Sequence, residues 1–217
     1  MPQPFRRPRR TLAACALAVL PGAAGAAALE VRVTNERGEA LEHAVVSVLA
    51  GAPAAAPPGT VAEIDQTERR FAPEVIAVQT GTEVAFPNGD DVRHHVYSFS
   101  RPNDFEIELY HGEPGETVRF EHPGIVTLGC NIHDGMIGYV AVVDTPLHAV
   151  TDADGLASIA AVPAGAHALT VWHPDTGRME VELRVPPGVD ALERAATLVT
   201  RPAAARPANP LQGLFAD

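Results

Sequence analysis

The stretch Ile125–Val143, IVTLGCNIHDGMIGYVAVV, places two apolar, β-branched runs on either side of a short loop. Residues of this kind favour strands, whereas the Asn, Asp and Gly between them favour turns. Two such runs around a short loop predict a hairpin-like pair of strands. The loop carries Cys130, His133 and Met136 with the spacing C-x-x-H-x-x-M, so three sulfur or nitrogen side chains project from one connection.

Similar short runs recur along the rest of the chain, separated by Gly, Pro, Asn and Asp, as in antiparallel sheets. They are LEVRV, AVVSVL, EVIAV, EVAF, HVYSF, FEIELY, TVRFE, LTVW and MEVELRV. Beyond residue 26, no stretch keeps a helical apolar period over three turns, although Asp190–Ala196 is compatible with one helical turn. The sequence therefore predicts an all-β protein with a β-sandwich architecture.

The first 26 residues have the features of a secretory signal. An arginine-rich start precedes the apolar run Leu12–Leu20 and a small-residue site at Ala24-Gly25-Ala26, so we expect cleavage near Ala26 and export to the periplasm, through the Sec rather than the twin-arginine route. The apolar run is shorter than the ~20 residues that a membrane span needs, so we expect no span in the mature chain.

The mature chain is acidic. Loss of the four arginines in residues 1–26 changes the formal net charge from −11 to −15. A charge of this sign argues against nucleic acid or an anionic membrane as partner and favours contact with basic protein surfaces.

Cys130 is left alone after export, because the other cysteine, Cys15, lies in the signal. An unpaired cysteine in an oxidising compartment is typical of a metal ligand or a reactive thiol, and a buried inert cysteine is the alternative. A thiolate, an imidazole and a weak thioether suit copper better than zinc, and a second imidazole would complete a His₂Cys set. His94 and His95 compete for that position, since adjacent strand residues point to opposite faces.

These motifs together resemble the cupredoxin, or blue copper, family. Phe86-Pro87-Asn88 followed by His94-His95-Val96 is similar to its first ligand segment, and the C-x-x-H-x-x-M loop has the amicyanin rather than the plastocyanin spacing. The chain also resembles cupredoxin-containing proteins labelled as methylamine utilization proteins. The resemblance implies a Greek-key β-sandwich and one type 1 copper per chain, with ligands His94, Cys130, His133 and Met136.

The family normally has Asn where this chain has His95, and that Asn fixes the ligand loop by a hydrogen bond. We therefore expect Asn88, His95 and Asn131 to surround the ligands, with His95 or Asn88 bonding the loop near Asn131. The edge of His133 near Ile132 should reach the surface as a docking patch.

The flanking segments resemble the two halves of a carboxypeptidase regulatory-like, transthyretin-like β module. The matching turns are Asn35–Gly38, Thr151–Gly155 and Pro163–Gly165. Residues 27–60 and 145–200 would then form one module, with the cupredoxin domain, residues 61–144, inserted in it. An extra N-terminal strand with an independent C-terminal domain is the alternative. Residues 50–59 are predicted to be a flexible connector and residues 201–217 a disordered tail.

The sequence contains no Ser-His-Asp order, phosphate loop or paired carboxylates in a plausible context, so we do not expect an enzyme. The resemblance implies outer-sphere transfer of single electrons between redox proteins, such as a periplasmic dehydrogenase or a cytochrome c. Two other hypotheses stay open: a periplasmic copper carrier or storage protein, and a non-catalytic accessory subunit of a dehydrogenase system.

Overall fold

A computed structural model describes residues 25–199 of the chain, and these residues form seventeen β-strands and no helix. The strands are β1 (Ala26–Asn35), β2 (Val45–Leu49), β3 (Val61–Glu63), β4 (Asp65–Thr67), β5 (Arg70–Ala72), β6 (Val75–Gln79), β7 (Glu83–Ala85), β8 (His94–Ser98), β9 (Phe105–Tyr110), β10 (Val118–Arg119), β11 (Gly124–Gly129), β12 (Ile137–Val143), β13 (His148–Val150), β14 (Leu156–Pro163), β15 (Gly165–His173), β16 (Gly177–Val185) and β17 (Ala191–Leu198). The predicted all-β class is confirmed.

The described residues contain no helix with the length and apolar character needed to cross a membrane. The predicted tail, residues 201–217, lies outside the described residues, as does all of the predicted signal except Gly25 and Ala26.

Residues 61–143 form a first β-sandwich, here called the inner sandwich. One sheet has the strand order β6-β12-β11-β8-β9 and the other has the order β10-β7-β3. Both sheets contribute to a single core that includes Val84 from the small sheet and Val96, Val126 and Val140 from the large one. The sandwich architecture predicted from the short apolar runs is thus confirmed, since the core lies between the two sheets.

The predicted hairpin is formed by β11 and β12, which pair antiparallel from Gly124↔Val142 to Gly129↔Ile137. The ligand-rich loop therefore emerges at the end of a fixed ladder. Strand β8 adjoins β11 through Gly129↔Tyr97 and pairs with β9 on its other side. The β8–β9 register shifts between His94 and Val96, a bulge of the kind that re-aims side chains.

Residues 26–49 and 148–198 form a second sandwich, here called the outer sandwich. Its sheets have the orders β14-β1-β17 and β13-β2-β15-β16. Along β1, buried and exposed residues alternate, so that Leu29, Val31 and Val33 enter a core shared with the facing sheet. Strands that precede the inner sandwich in the chain pair with strands that follow it: β1 with β14 and β17, and β2 with β13 and β15.

The predicted flexible connector, residues 50–59, forms no strand but is held by hydrogen bonds. The Ala54 amide donates to the Asp144 carbonyl over 2.8 Å, and the Ala56 amide donates to the Thr80 carbonyl over 2.7 Å. The Gln79 side chain also donates to the Ala54 carbonyl over 2.7 Å. Residues 50–59, which lead into the inner sandwich, therefore lie beside Asp144, where the chain leaves it.

The helical turn with which the sequence of Asp190–Ala196 is compatible does not form. Residues 191–198 form β17, which pairs in parallel with β1 from Ala28↔Ala191 to Asn35↔Leu198. Pairing with β1 buries Ala196 and Leu198 in the outer core, and this non-local gain overrides the local preference for helix.

Candidate metal centre

Three of the four predicted ligands meet at one end of the inner sandwich. His94 begins β8, Cys130 follows β11, and His133 lies in the loop before β12. The Cys130 Sγ lies 3.8 Å from Nδ1 of His94 and 3.8 Å from Nδ1 of His133, and the two Nδ1 atoms are 3.2 Å apart. The ligand atoms of all three residues lie within 4.8 Å of one another.

These separations fit a single metal ion. A point equidistant from the three atoms lies about 2.1 Å from each of them, within the range of about 2.0–2.3 Å known for zinc–nitrogen and zinc–sulfur bonds. The arrangement can therefore hold one ion without displacement of the ligand atoms.

The three side chains differ in exposure. His94 is 0% exposed and Cys130 is 2% exposed, whereas His133 is half-buried. Ile132, next to His133, is 48% exposed. The half-buried imidazole thus lies where the centre comes nearest to solvent, beside an exposed apolar side chain.

Met136, the predicted fourth ligand, is 1% exposed and belongs to the same core as Cys130. Its amide donates to the His133 carbonyl over 2.9 Å, which closes the ligand loop into a turn. Both sulfur-bearing side chains line a common cavity. The role of Met136 as a metal ligand stays a prediction.

Asp90 belongs to the candidate site, although it was not predicted from the sequence. Its Oδ2 lies 2.7 Å from Nε2 of His94, so the carboxylate holds the ring nitrogen that faces away from Cys130. The same carboxylate accepts the amide protons of Glu68 over 2.7 Å and Arg69 over 2.9 Å, at the tip of the β4–β5 hairpin. An acidic residue four positions before His94 was the only available signal in the sequence.

The Asp90 carboxyl is well suited to stay ionised. Burial raises its pKa, but hydrogen bonds from the Arg69 amide, the His94 ring and the Glu68 amide outweigh that effect and hold the pKa below its ordinary value. A carboxylate bound to the distal nitrogen of a histidine fixes the tautomer and the orientation of the ring.

Asn88 organises the loop that carries Asp90. Its side-chain amide donates to the carbonyls of Val92 over 2.9 Å and Tyr110 over 3.1 Å, and its Oδ1 accepts the Asp90 amide proton over 3.1 Å. Asn88 is therefore linked to His94 through Asp90, and these bonds do not include one to the loop near Asn131, which was one of the two predicted alternatives.

The hydrogen bond of His95 also leads away from the ligand loop. His95 is buried, and its Nε2 lies 2.9 Å from Oε1 of Glu106 on β9. The His95 Nδ1 and the side-chain Oδ1 of Asn131 are both buried without a hydrogen-bond partner, so His95 does not bond the side-chain oxygen of Asn131. The bulge after His94 accounts for this difference, because it aims His95 towards β9.

Burial lowers the pKa of His133, with further lowering by His94 and Arg69 and an opposing effect from Asp90. The neutral imidazole that results is the form that ligates a metal.

Burial also raises the pKa of Tyr97, and the neighbouring Cys130 and Asp134 raise it further.

No family model matches the chain, and no curated protein does. Among solved structures, the chain is similar to a copper-containing nitrite reductase from Thermus scotoductus SA-01, with 24% identity and a TM-score of 0.37 over 46% of this chain. It spans a quarter of that enzyme's length, since 25% of the reductase chain is covered. It is also similar to a purple cupredoxin from Nitrosopumilus maritimus, with 22% identity, a TM-score of 0.33, and coverage of 37% of this chain and 98% of that one. A mutant amicyanin in its reduced state shows 18% identity and a TM-score of 0.35, over 45% of this chain and 97% of that one.

Proposed function

We propose that this protein is an exported type 1 copper protein of the cupredoxin kind that carries single electrons between redox partners. The observation that carries the proposal is the convergence of Cys130 Sγ with the Nδ1 atoms of His94 and His133 around a point about 2.1 Å from each. A thiolate with two imidazoles, and a weak thioether from Met136, is the donor set that suits copper electron-transfer sites.

Bound copper would supply a one-electron couple between Cu(I) and Cu(II). The residues of the chain would hold the ion and keep its donor atoms in place. Asp90 holds His94 in one orientation, and the β11–β12 ladder fixes the ends of the loop that bears Cys130 and His133. A donor set held in this way needs little rearrangement when the charge of the ion changes, which favours fast transfer.

The proposed route for the electron is the half-buried edge of His133, beside the exposed Ile132. Contacts between redox proteins are small and transient, and a limited apolar patch suits such contacts. The acidic net charge favours a basic partner, and a periplasmic dehydrogenase or a cytochrome c would fit as donor or acceptor. Nothing in this route requires an open coordination position for a substrate, so the proposed role is not enzymatic.

The test is a titration of purified, metal-free protein with Cu(II), followed by visible absorption and voltammetry. One equivalent should produce an intense thiolate-to-copper band and a reversible one-electron wave. Both signals should be lost in Cys130→Ser and in His133→Gln, whereas the control His122→Gln, which changes an exposed histidine outside the centre, should retain both.

Two results would overturn the proposal. Preferential binding of zinc over copper by the same residues would point to a zinc site. Binding of copper without a reversible wave, together with rapid transfer of the ion to another protein, would support the copper carrier instead.

A further inference from the structure

A cavity of about 470 Å³ lies between the two sandwiches, beside Cys130 and Met136. Residues of β8, β11 and β12 and of the loops beside them form one side, and Trp172 and Pro174 of the outer sandwich form the other. This volume is within the range of about 300–1,000 Å³ typical of sites for small molecules. Cys130 and Met136 belong to its lining, but the electron route proposed above, along His133, does not pass through the cavity.

Four aromatic side chains belong to the walls of the cavity. Tyr97 and Phe99 have ring centroids 5.1 Å apart, and Tyr139 and Trp172 have centroids 5.5 Å apart. Phe99 is 55% exposed, which is unusual for a phenylalanine. Aromatic faces bear partial negative charge, so the walls favour an occupant that is apolar in shape and positive in charge.

The lining residues also carry negative rather than positive formal charge. Asp134 is the one ionisable acid or base among them apart from the cysteine thiol and the tyrosine phenols. Asp134, Tyr97 and Phe99 all belong to the lining, so the carboxylate and this pair of rings border the same cavity. The lining includes no arginine or histidine, and so no group that would repel a cation.

We propose that this cavity binds a small organic cation of the alkylammonium class. The alkyl groups would contact the rings of Phe99, Tyr139 and Trp172, and the charge would lie near Asp134. A cation over aromatic faces gains about 0.5–2 kcal/mol over a neutral molecule of the same shape, which is roughly a two- to thirtyfold difference in affinity. The site does not depend on copper, so it can be tested on the metal-free protein whether or not the proposed electron transfer is correct.

Trp172 provides a direct readout, because it is the single tryptophan of the chain. Metal-free full-length protein is titrated with choline and with 3,3-dimethylbutan-1-ol, a neutral molecule of the same shape, while tryptophan emission is followed. Choline should change the emission saturably, and its dissociation constant should be roughly two- to thirtyfold lower than that of the alcohol.

Two variants locate the site. Asp134→Asn should weaken choline binding about threefold or more and leave the alcohol unaffected, and Phe99→Leu should weaken choline more than the alcohol. The control Glu182→Gln removes an exposed carboxylate on β16, outside the cavity, and should change neither. Equal affinities for the two molecules would overturn the cation preference. A linear change in emission without saturation would overturn the site itself.

Discussion

Asp90 and His94 form a pair in which a carboxylate oxygen lies 2.7 Å from Nε2 of the ring, opposite the Nδ1 that lies 3.8 Å from Cys130 Sγ. The pair joins the ligand to the tip of the β4–β5 hairpin, because the same carboxylate accepts the amide protons of Glu68 and Arg69. The orientation of His94 is thus set by a hairpin far from the ligand loop in sequence.

Replacement of Asp90 by Asn should weaken copper binding by about 10- to 100-fold, as expected when the partner of a ligating histidine is removed. The affinity is measured by competition with a chelator of known strength. Asp91→Asn is the matched control, since Asp91 is exposed and adjacent. Equal affinities for the two variants would show that Asp90 does not position His94.

Replacement of Met136 by Leu should separate packing from ligation. The side chain is 1% exposed, and a swap of similar volume should cost less than about 1.5 kcal/mol of unfolding free energy in the metal-free protein. The potential and the visible spectrum of the copper form should nevertheless change, because leucine has no thioether. An unchanged potential would mean that Met136 only fills the core.

Gly129 should tolerate no side chain, because an added Cβ would lie 2.8 Å from the Tyr97 ring. Gly129→Ala should therefore destabilise the protein by about 1–3 kcal/mol, as measured by urea unfolding. Gly135→Ala, in the loop that follows β11, is the control, since nothing lies within 4 Å of its added Cβ. If both variants lost the same stability, a general loss of loop flexibility would be the cause instead of the Tyr97 contact.

The stability of the metal-free protein should fall as the pH falls below about 6.5, in part because of His173. Burial lowers the pKa of this histidine, against opposing effects of Asp175 and Glu42, so the folded state binds its proton less readily than the unfolded state does. Protonation then favours unfolding, and stability rises with pH through this range. His173→Asn keeps an acceptor for the Asp175 amide and should reduce the difference in unfolding free energy between pH 7.5 and pH 5.5. An identical difference in wild type and variant would exclude His173.

We propose that residues 61–144 are an insertion in the outer sandwich, since β2 and β13 are antiparallel neighbours that a short turn could join. A chain in which Asn-Gly replaces residues 51–144 should unfold cooperatively and give the circular dichroism of a β protein. Ile159→Val should cost about 0.5–1.5 kcal/mol both in this chain and in the full protein, because Ile159 lies in the outer core. A shortened chain without a cooperative transition would contradict the proposal.

The sequence was sufficient for the parts of the site that depend on local pattern. Cys130 and His133 follow the clear strand run of β11 and precede that of β12, and the apolar run of β8 begins at His94. The three residues converge because these strand ends meet. Asp90 could not be distinguished from Asp91 in this way, because its position depends on hydrogen bonds with Asn88 and with the distant amides of Glu68 and Arg69. The partners of His95 depend on a bulge that has no signature in the sequence.

Pairing between strands that are far apart in sequence was the other feature that could not be predicted from the sequence. The residues of β17 include good helix formers, and the strand forms through its ladder with β1. The aromatic residues that line the cavity likewise lie in β8 and directly after it, in β12 and in β15, so that no single stretch of sequence reveals them.

The parallel ladder between β1 and β17 has a mechanical consequence. The start of β1 and the end of β17 lie at opposite ends of this ladder, so tension applied to Ala26 and Leu198 would load its hydrogen bonds in shear, all at once rather than one after another. The inner sandwich joins the chain between these strands and would lie outside the path of the force. A pulled molecule would therefore keep its ligand cluster intact until the ladder ruptures.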